Sequence, residues 1–140
     1  MKIVYSYYVL DLIHSGHLYY MKQAKSIAGK DGLSIVGILT NKATMENKKK
    51  PLLPLSERME LAQAVEYNDV VIAQDTYSPI ENIKLLRPDV VLESGSHHNE
   101  LIQKTINCVE GMKGRVIVIP YTDAYEYSST SIKKGGKKNE

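Results

Sequence analysis

The sequence predicts a single-domain α/β fold built on a doubly wound, five-stranded parallel sheet. Short apolar runs rich in β-branched residues alternate along the chain with segments of helical periodicity. A length of 140 residues with 43% hydrophobic content is typical of one domain with a substantial core. Since helices separate the strands, neighbouring strands are expected to run parallel, with helices on both faces of the sheet.

The first half of the chain supplies two strands and two helices. KIVYSYYV, residues 2–9, is the first strand, and Ser15–Ala28 follows as a helix. LSIVGIL, residues 33–39, is the second strand, and helical periodicity returns at residues 55–66. Between these two lies TNKATMENKKKPLLP, residues 40–54, which we expect to be a long irregular connection. Loops of this length in compact domains are usually functional or mobile.

The second half repeats the alternation of strand and helix. DVVIA, DVVLES and RVIVI are β-branched runs, and the pair Ser78-Pro79 is typical of a helix start. The pattern predicts strands at 69–73, 89–94 and 115–119 and helices at 78–86, 99–112 and 128–134. The domain is expected to span residues 1–132. The remaining KKGGKKNE, residues 133–140, is polar and contains glycine, which predicts a flexible basic tail.

Charge and composition exclude several classes of function. The net charge is +2, but the lysines of the tail account for more than this amount, so residues 1–132 are slightly acidic and predict no nucleic-acid surface. Cys108 is the single cysteine, which excludes an intramolecular disulfide and a thiolate zinc cluster. Because no apolar run approaches the roughly 20 residues of a membrane span and no secretory pattern is present, we expect a cytoplasmic protein without a membrane partner.

Three polar segments follow predicted strands at the point where each strand ends. LDLIHSGH, residues 10–17, follows the first strand, and SGSHH, residues 94–98, follows the fourth. YTDAYEYSST, residues 121–130, follows the fifth. In a doubly wound sheet the ligand binds beyond the carboxyl ends of the strands, where the strand order reverses. With the first strand at that reversal, the three segments are expected to meet in one crevice.

Two histidines in the first segment indicate a phosphate site. His14 and His17 are three residues apart in the first turn of a helix, which places both rings on one side, and Gly16 allows a ligand to approach the backbone. The free N–H groups and dipole of that turn favour an anion. Taken singly, His14 would be a core histidine and His17 a surface one. A metal site using these two with His97 and His98 is the third interpretation, but no cysteine or carboxylate set has zinc-ligand spacing, and we predict no protein-bound metal.

LDLIHSGH resembles the HxGH signature of the nucleotidyltransferase superfamily, and its context is similar to the TFDLLHxGH version in cytidylyltransferases. LSERMEL, RPDVVLESGS, VIVIPYT and SSTSI continue the resemblance in order along nearly the whole chain. The form IPYT…SST is similar to cytidylyltransferases of phosphonate biosynthesis, which act on hydroxyethyl- or aminoethylphosphonate. It is also similar to glycerol-3-phosphate cytidylyltransferases.

The resemblance implies a Rossmann-like nucleotidyltransferase fold and transfer of CMP from CTP, with Mg²⁺, to a small phosphonate or phospho-alcohol. Pyrophosphate is the second product, and we expect a homodimer. His14 and His17 would hold the triphosphate, Lys49 would close over it in a mobile loop with Lys48 or Lys50 as substitutes, and Arg58 would contact the phosphates. The nucleotide-binding residues implied are Val9, Leu10, Asp11, Gly16, Gly95, Ser96, His97, Tyr121, Ser128, Ser129 and Thr130. Tyr121 would also influence the choice of acceptor.

Departures from the family pattern keep other interpretations open. Tyr8 and Val9 stand where relatives have small residues, and GSHH, residues 95–98, stands where many have GDDW. An ATP-dependent adenylyltransferase is the first alternative, because HxGH serves both nucleotides. A degenerate nucleotide-binding regulatory module is the second. Without the resemblance, residues 48–50 would be a solvated charge run and Arg58 the partner in an exposed helix salt bridge.

Overall fold

The structure is a computed structural model and describes residues 1–120. Strands alternate with helices along this part of the chain, and two helices follow the second strand. The elements are β1 (Ile3–Tyr8), α1 (Ser15–Ala28), β2 (Leu33–Leu39), α2 (Asn41–Thr44), α3 (Leu55–Ala64), β3 (Val70–Gln74), α4 (Ile80–Leu86), β4 (Val90–Ser94), α5 (Asn99–Gly111) and β5 (Arg115–Ile119). The predicted last helix at 128–134 and the predicted domain boundary at residue 132 lie outside the described residues.

The five strands form one parallel sheet in the order β3-β2-β1-β4-β5. The order reverses between β1 and β4, whose register pairs Val4 with Val90 and Tyr5 with Val91. This arrangement confirms the predicted fold class. It also places the segments that follow β1 and β4 side by side, as a binding crevice in this fold requires.

Each face of the sheet has its own helices. Val4 of β1 packs with Ala24 and Ala28 of α1, on the face that α3 also covers. Its neighbour along the strand, Tyr5, points to the other face, where the core includes Ile83 of α4 and Val109 of α5. Burial of these apolar side chains on both faces is the main stabilising contribution to such a fold.

The α4/α5 face of the sheet also holds polar groups. The buried Tyr5 hydroxyl donates to Gln74 Oε1 at 2.6 Å and accepts from Asn82 Nδ2 at 3.0 Å. Glycine is required at position 37 of β2, because a Cβ there would lie 1.9 Å from the Tyr5 hydroxyl. The Tyr5 hydroxyl therefore occupies the space that a side chain at position 37 would fill, and it both donates and accepts a hydrogen bond there.

Residues 40–54 differ from the irregular connection that we predicted. Thr40 caps α2 because its Oγ1 accepts from the Ala43 N–H at 3.1 Å, which gives the segment a short helix. The remaining boundaries differ by two residues or fewer. For example, α3 ends at Ala64 rather than at residue 66. Among the described residues, no helix is both long and apolar enough to cross a membrane.

Candidate active site

The chain leaves β1 through a strained residue. Leu10 has a φ of 61°, in the left-handed region that a leucine rarely adopts. Its side chain is buried with Met21, Val36 and Ile38 in the core beneath α1 and α3. Packing therefore maintains a backbone conformation that is costly by itself and that turns the chain from β1 towards α1.

The structure brings His14 and His17 together at the start of α1. Their ring centroids are 3.9 Å apart, with an angle of 31° between the planes. His14 is the N-cap residue, and its Nδ1 accepts from the Gly16 N–H at 3.1 Å. Since Nδ1 is the acceptor, the neutral ring carries its proton on Nε2 and can donate that proton to a ligand.

Both histidines are held in the neutral form. Burial lowers the pKa of His17 to about 3, assisted by the electrostatic influence of His14 and Lys48 and opposed by a backbone hydrogen bond of Leu12. Burial also lowers the pKa of His14. Two neutral imidazoles beside the positive end of a helix dipole are an arrangement that favours an anion.

Asp11 joins the two loops that flank the histidines. Its Oδ1 accepts from the Leu53 N–H at 2.9 Å, and its Oδ2 accepts from the Leu52 N–H at 3.0 Å. The carboxylate is almost completely buried. Asp11 therefore fixes the end of the lysine-rich segment against the loop that follows β1.

Arg58 is fully buried, with 0% of its surface exposed. Its guanidinium donates to the carbonyl oxygens of Val9 and Leu39 at 2.8 and 2.7 Å, to the Leu53 carbonyl at 3.0 Å and to Asn41 Oδ1 at 2.8 Å. The interpretation as an exposed helix salt bridge is therefore wrong. Arg58 links the ends of β1 and β2 with both ends of the segment 40–54 that follows β2. Its contact with phosphate remains a prediction.

Lys48, the first residue of the lysine run, acts electrostatically on His17 of the histidine pair. Residues 48–50 are all exposed, and the charge of Lys48 lowers the pKa of His17. Lys48, one of the two possible substitutes for Lys49, is therefore within electrostatic reach of His17. Because the histidine pair is neutral and Lys48 is positive, the local charge is positive, which favours the binding of a polyanion.

The end of strand β4, just before Ser94, carries a buried carboxylate, Glu93, that the sequence interpretation missed. Glu93 Oε1 accepts from the Tyr7 hydroxyl at 2.6 Å and pairs closely with Nδ1 of His97, four residues later. Gly95 and Ser96 are exposed, and the Gly95 N–H donates to the Ile119 carbonyl at 2.8 Å. A charged residue directly after the apolar run VVL, residues 90–92, within the same predicted strand is the sequence signal that could have identified Glu93.

Several predicted residues have no structural test. Tyr121, Ser128, Ser129 and Thr130 lie outside the described residues, as does the whole polar segment 121–130 after β5. The four-histidine metal interpretation finds no support among residues 1–120, which contain no group of three His, Cys, Asp or Glu side chains able to hold a metal ion.

Comparison with known proteins identifies relatives of the whole described fold. The family model described as cytidylyltransferase-like matches residues 9–135. The bifunctional protein HldE of Marinomonas sp. is 34% identical over 133 residues, which cover 94% of this chain and 27% of that protein. The chain thus spans about a quarter of the length of that relative.

Two further proteins match over most of their own length. The FAD synthase of Pyrococcus abyssi is 29% identical over 128 residues, which cover 88% of this chain and 83% of that protein. The crystal structure of a lipopolysaccharide core biosynthesis protein from Thermoplasma volcanium superposes with a TM-score of 0.72 at 19% identity, and the match covers 87% of this chain and 97% of that one. At this identity the superposition supports the fold.

Proposed function

Because the chain belongs to the cytidylyltransferase-like family of nucleotidyltransferases, we propose that it transfers CMP from CTP to a small phosphonate or phospho-alcohol and releases pyrophosphate. The candidate acceptors are hydroxyethylphosphonate, aminoethylphosphonate and glycerol 3-phosphate. The observation that carries the proposal is the pair of neutral imidazoles, 3.9 Å apart, at the first turn of α1.

The reaction needs positioning and charge stabilisation more than a protein nucleophile. Attack on the α-phosphorus by an acceptor oxygen forms one P–O bond while the bond to pyrophosphate breaks, and negative charge spreads over the phosphate oxygens. His14 Nε2, the His17 ring and the N–H groups of the first turn of α1 supply donors for that charge. Preorganised donors of this kind are a major source of rate enhancement.

A divalent metal is the usual companion of the nucleotide in such enzymes, and we propose Mg²⁺. The described residues offer no cluster of three metal ligands, and both carboxylate oxygens of Asp11 already accept backbone N–H groups. The phosphate oxygens of the substrate would therefore hold most of the ion's coordination sphere, as is common for Mg²⁺. The ion would supply additional stabilisation of the phosphate charge.

Adenylyl transfer from ATP is the second candidate. It is favoured by the FAD synthase relative, since FAD contains an adenine nucleotide, and that relative matches over 83% of its length. The histidine site contacts phosphates and does not distinguish one base from another. The choice between CTP and ATP therefore depends on residues outside the histidine pair.

Pyrophosphate release, measured with each of the four common nucleoside triphosphates against the three candidate acceptors and Mg²⁺, tests the proposal directly. We expect release with CTP and one or more acceptors, together with a CMP-linked product by mass spectrometry. Release with ATP alone would establish the second candidate. If CTP binds but no combination releases pyrophosphate, the chain is a nucleotide-binding regulatory module. Light scattering of the same sample tests the proposed homodimer.

A further inference from the structure

The buried carboxylate of Glu93 lacks the compensation that a buried charge normally requires. Its side chain is 0% exposed, and within residues 1–120 its single ion-pair partner is His97. The Tyr7 hydroxyl donates a hydrogen bond to Oε1, while Oε2 is buried without any hydrogen bond in the described part of the chain. Because an uncompensated buried carboxylate is costly, Glu93 depends on its contacts with His97 and Tyr7.

The His97 ring is fixed on one edge and free on the other. Nδ1 is within hydrogen-bonding reach of both Glu93 and the Tyr7 hydroxyl, and the ring stacks on Tyr7 with centroids 5.5 Å apart. The side chain is 19% exposed. Nε2 makes no hydrogen bond within residues 1–120, so the ring has one unengaged nitrogen at the end of β4. A histidine oriented in this way resembles the carboxylate-held imidazoles that act on substrates.

His97 lies on the opposite face of the sheet from the phosphate-binding turn. Tyr7 packs in the core formed with α4 and α5, whereas α1, which begins at the histidine pair, packs on the other face. In an in-line displacement at phosphorus, the attacking oxygen enters opposite the leaving pyrophosphate. If His14 and His17 hold the pyrophosphate end, the attacking group approaches from the side of His97.

We propose that His97, held by the positioning residue Glu93 and supported by Tyr7, binds the anionic phosphate or phosphonate group of the acceptor through Nε2. The inference rests on the proposed nucleotidyl transfer. It assigns His97 to acceptor binding in place of the nucleotide binding that the resemblance implies. The Tyr77 ring, 6.3 Å from the His97 ring at an angle of 61°, provides an aromatic wall beside the same group. No protein proton needs to move, since the acceptor oxygen attacks as an anion.

Imidazole nitrogen NMR tests the site without turnover. The ¹⁵N-labelled protein is saturated with pyrophosphate to occupy His14 and His17, and methylphosphonate is then added, with assignments from single His→Asn variants. We expect the Nε2 signal of His97 to shift with methylphosphonate, while the exposed His98 does not respond. An unchanged His97 signal, or an equal response in His97 and His98, would overturn the proposal.

Kinetic variants separate positioning from general stability. Loss of a charge-assisted hydrogen bond predicts that His97→Asn raises the acceptor KM about tenfold or more, with the KM of the nucleotide within about twofold of wild type. Glu93→Gln and Tyr7→Phe should raise the acceptor KM in the same direction, and Tyr5→Phe, on the same face but without contact to Glu93, is the matched control. Equal changes in both KM values would refute the assignment. Absence of pyrophosphate release with every acceptor would refute the proposed function, and the NMR titration would still decide the site.

Discussion

At the level of single residues, the site depends on histidines that stay uncharged. Burial lowers the pKa of both His14 and His17, so at neutral pH each ring is a neutral donor. A neutral donor binds the ground-state phosphate less strongly than a cation would, and it gains strength as negative charge develops. Such a difference between ground state and transition state is what accelerates a reaction.

Replacing either histidine tests this role. His14→Ala or His17→Ala should lower kcat by roughly 10²- to 10³-fold, or about 3 kcal/mol, the usual loss when one transition-state donor is removed. The matched control is His98→Ala, because His98 is exposed and makes no side-chain capping bond at the start of α5. Initial-rate measurements of pyrophosphate release give kcat. Near wild-type turnover in both variants would exclude the histidine pair from the mechanism.

The residue scale also shows what local patterns can and cannot predict. The proximity of His14 and His17 follows from three-residue spacing in one helical turn, so the sequence is sufficient to predict it. The contact of Tyr7 with Glu93 joins residues 86 positions apart, and only the pairing of β1 with β4 brings them together. The burial of Arg58 was missed for the same reason, since its acceptors belong to three separate segments.

At the level of elements, Arg58 acts as the link between strands and loops. The acceptors of its guanidinium lie just after β1, at the end of β2, at the start of α2 and just before α3. Removing the planar, forked guanidinium group would leave these buried carbonyl oxygens without hydrogen-bond donors. A buried group without its partner costs more than the bond itself contributed.

Arg58→Lys should therefore destabilise the fold although it keeps the charge. A lysine ammonium cannot reach acceptors arranged for a planar fork, and we expect a loss of about 3 kcal/mol in the free energy of unfolding, in the range for breaking a buried charged network. Urea unfolding followed by circular dichroism measures it. Arg115→Lys is the control, since Arg115 is exposed on β5. Equal stabilities for the two variants would show that the buried fork is dispensable.

The segment between α2 and α3 is held at its far end by Asp11. The exposed lysines at 48–50 repel one another until an anion neutralises them, so CTP should slow tryptic cleavage there, whereas cytidine should not. Asp11→Asn, which weakens the bonds to the Leu52 and Leu53 N–H groups, should accelerate cleavage in the absence of nucleotide. Mass spectrometry of the first fragments identifies the cut. Cleavage at the same rate with CTP, with cytidine and without either would argue against loop closure.

At the level of the whole molecule, the alternation of strands and helices was sufficient to predict the sheet. Five β-branched runs separated by helical segments allow few arrangements, and the observed order places β1 beside β4 at the reversal. The short helix α2 was not predicted, because it depends on a threonine cap within a segment of low periodicity. The topology thus follows from repeated patterns, whereas single local bonds decide the exceptions.

The stability of the whole fold should decrease in acid because of the same histidine that serves the site. The pKa of His17 is about 3 in the folded protein against an ordinary value of 6.5, so the unfolded chain binds the proton more readily. Its contribution is complete above about pH 6.5 and is lost as the pH falls towards 3, by at most about 1.4 kcal/mol per pH unit for one proton. His17→Gln should therefore flatten the fall in unfolding free energy between pH 6.5 and 4. His98→Gln should leave it unchanged, and a His17→Gln profile parallel to wild type would show that His17 is not held neutral by the fold.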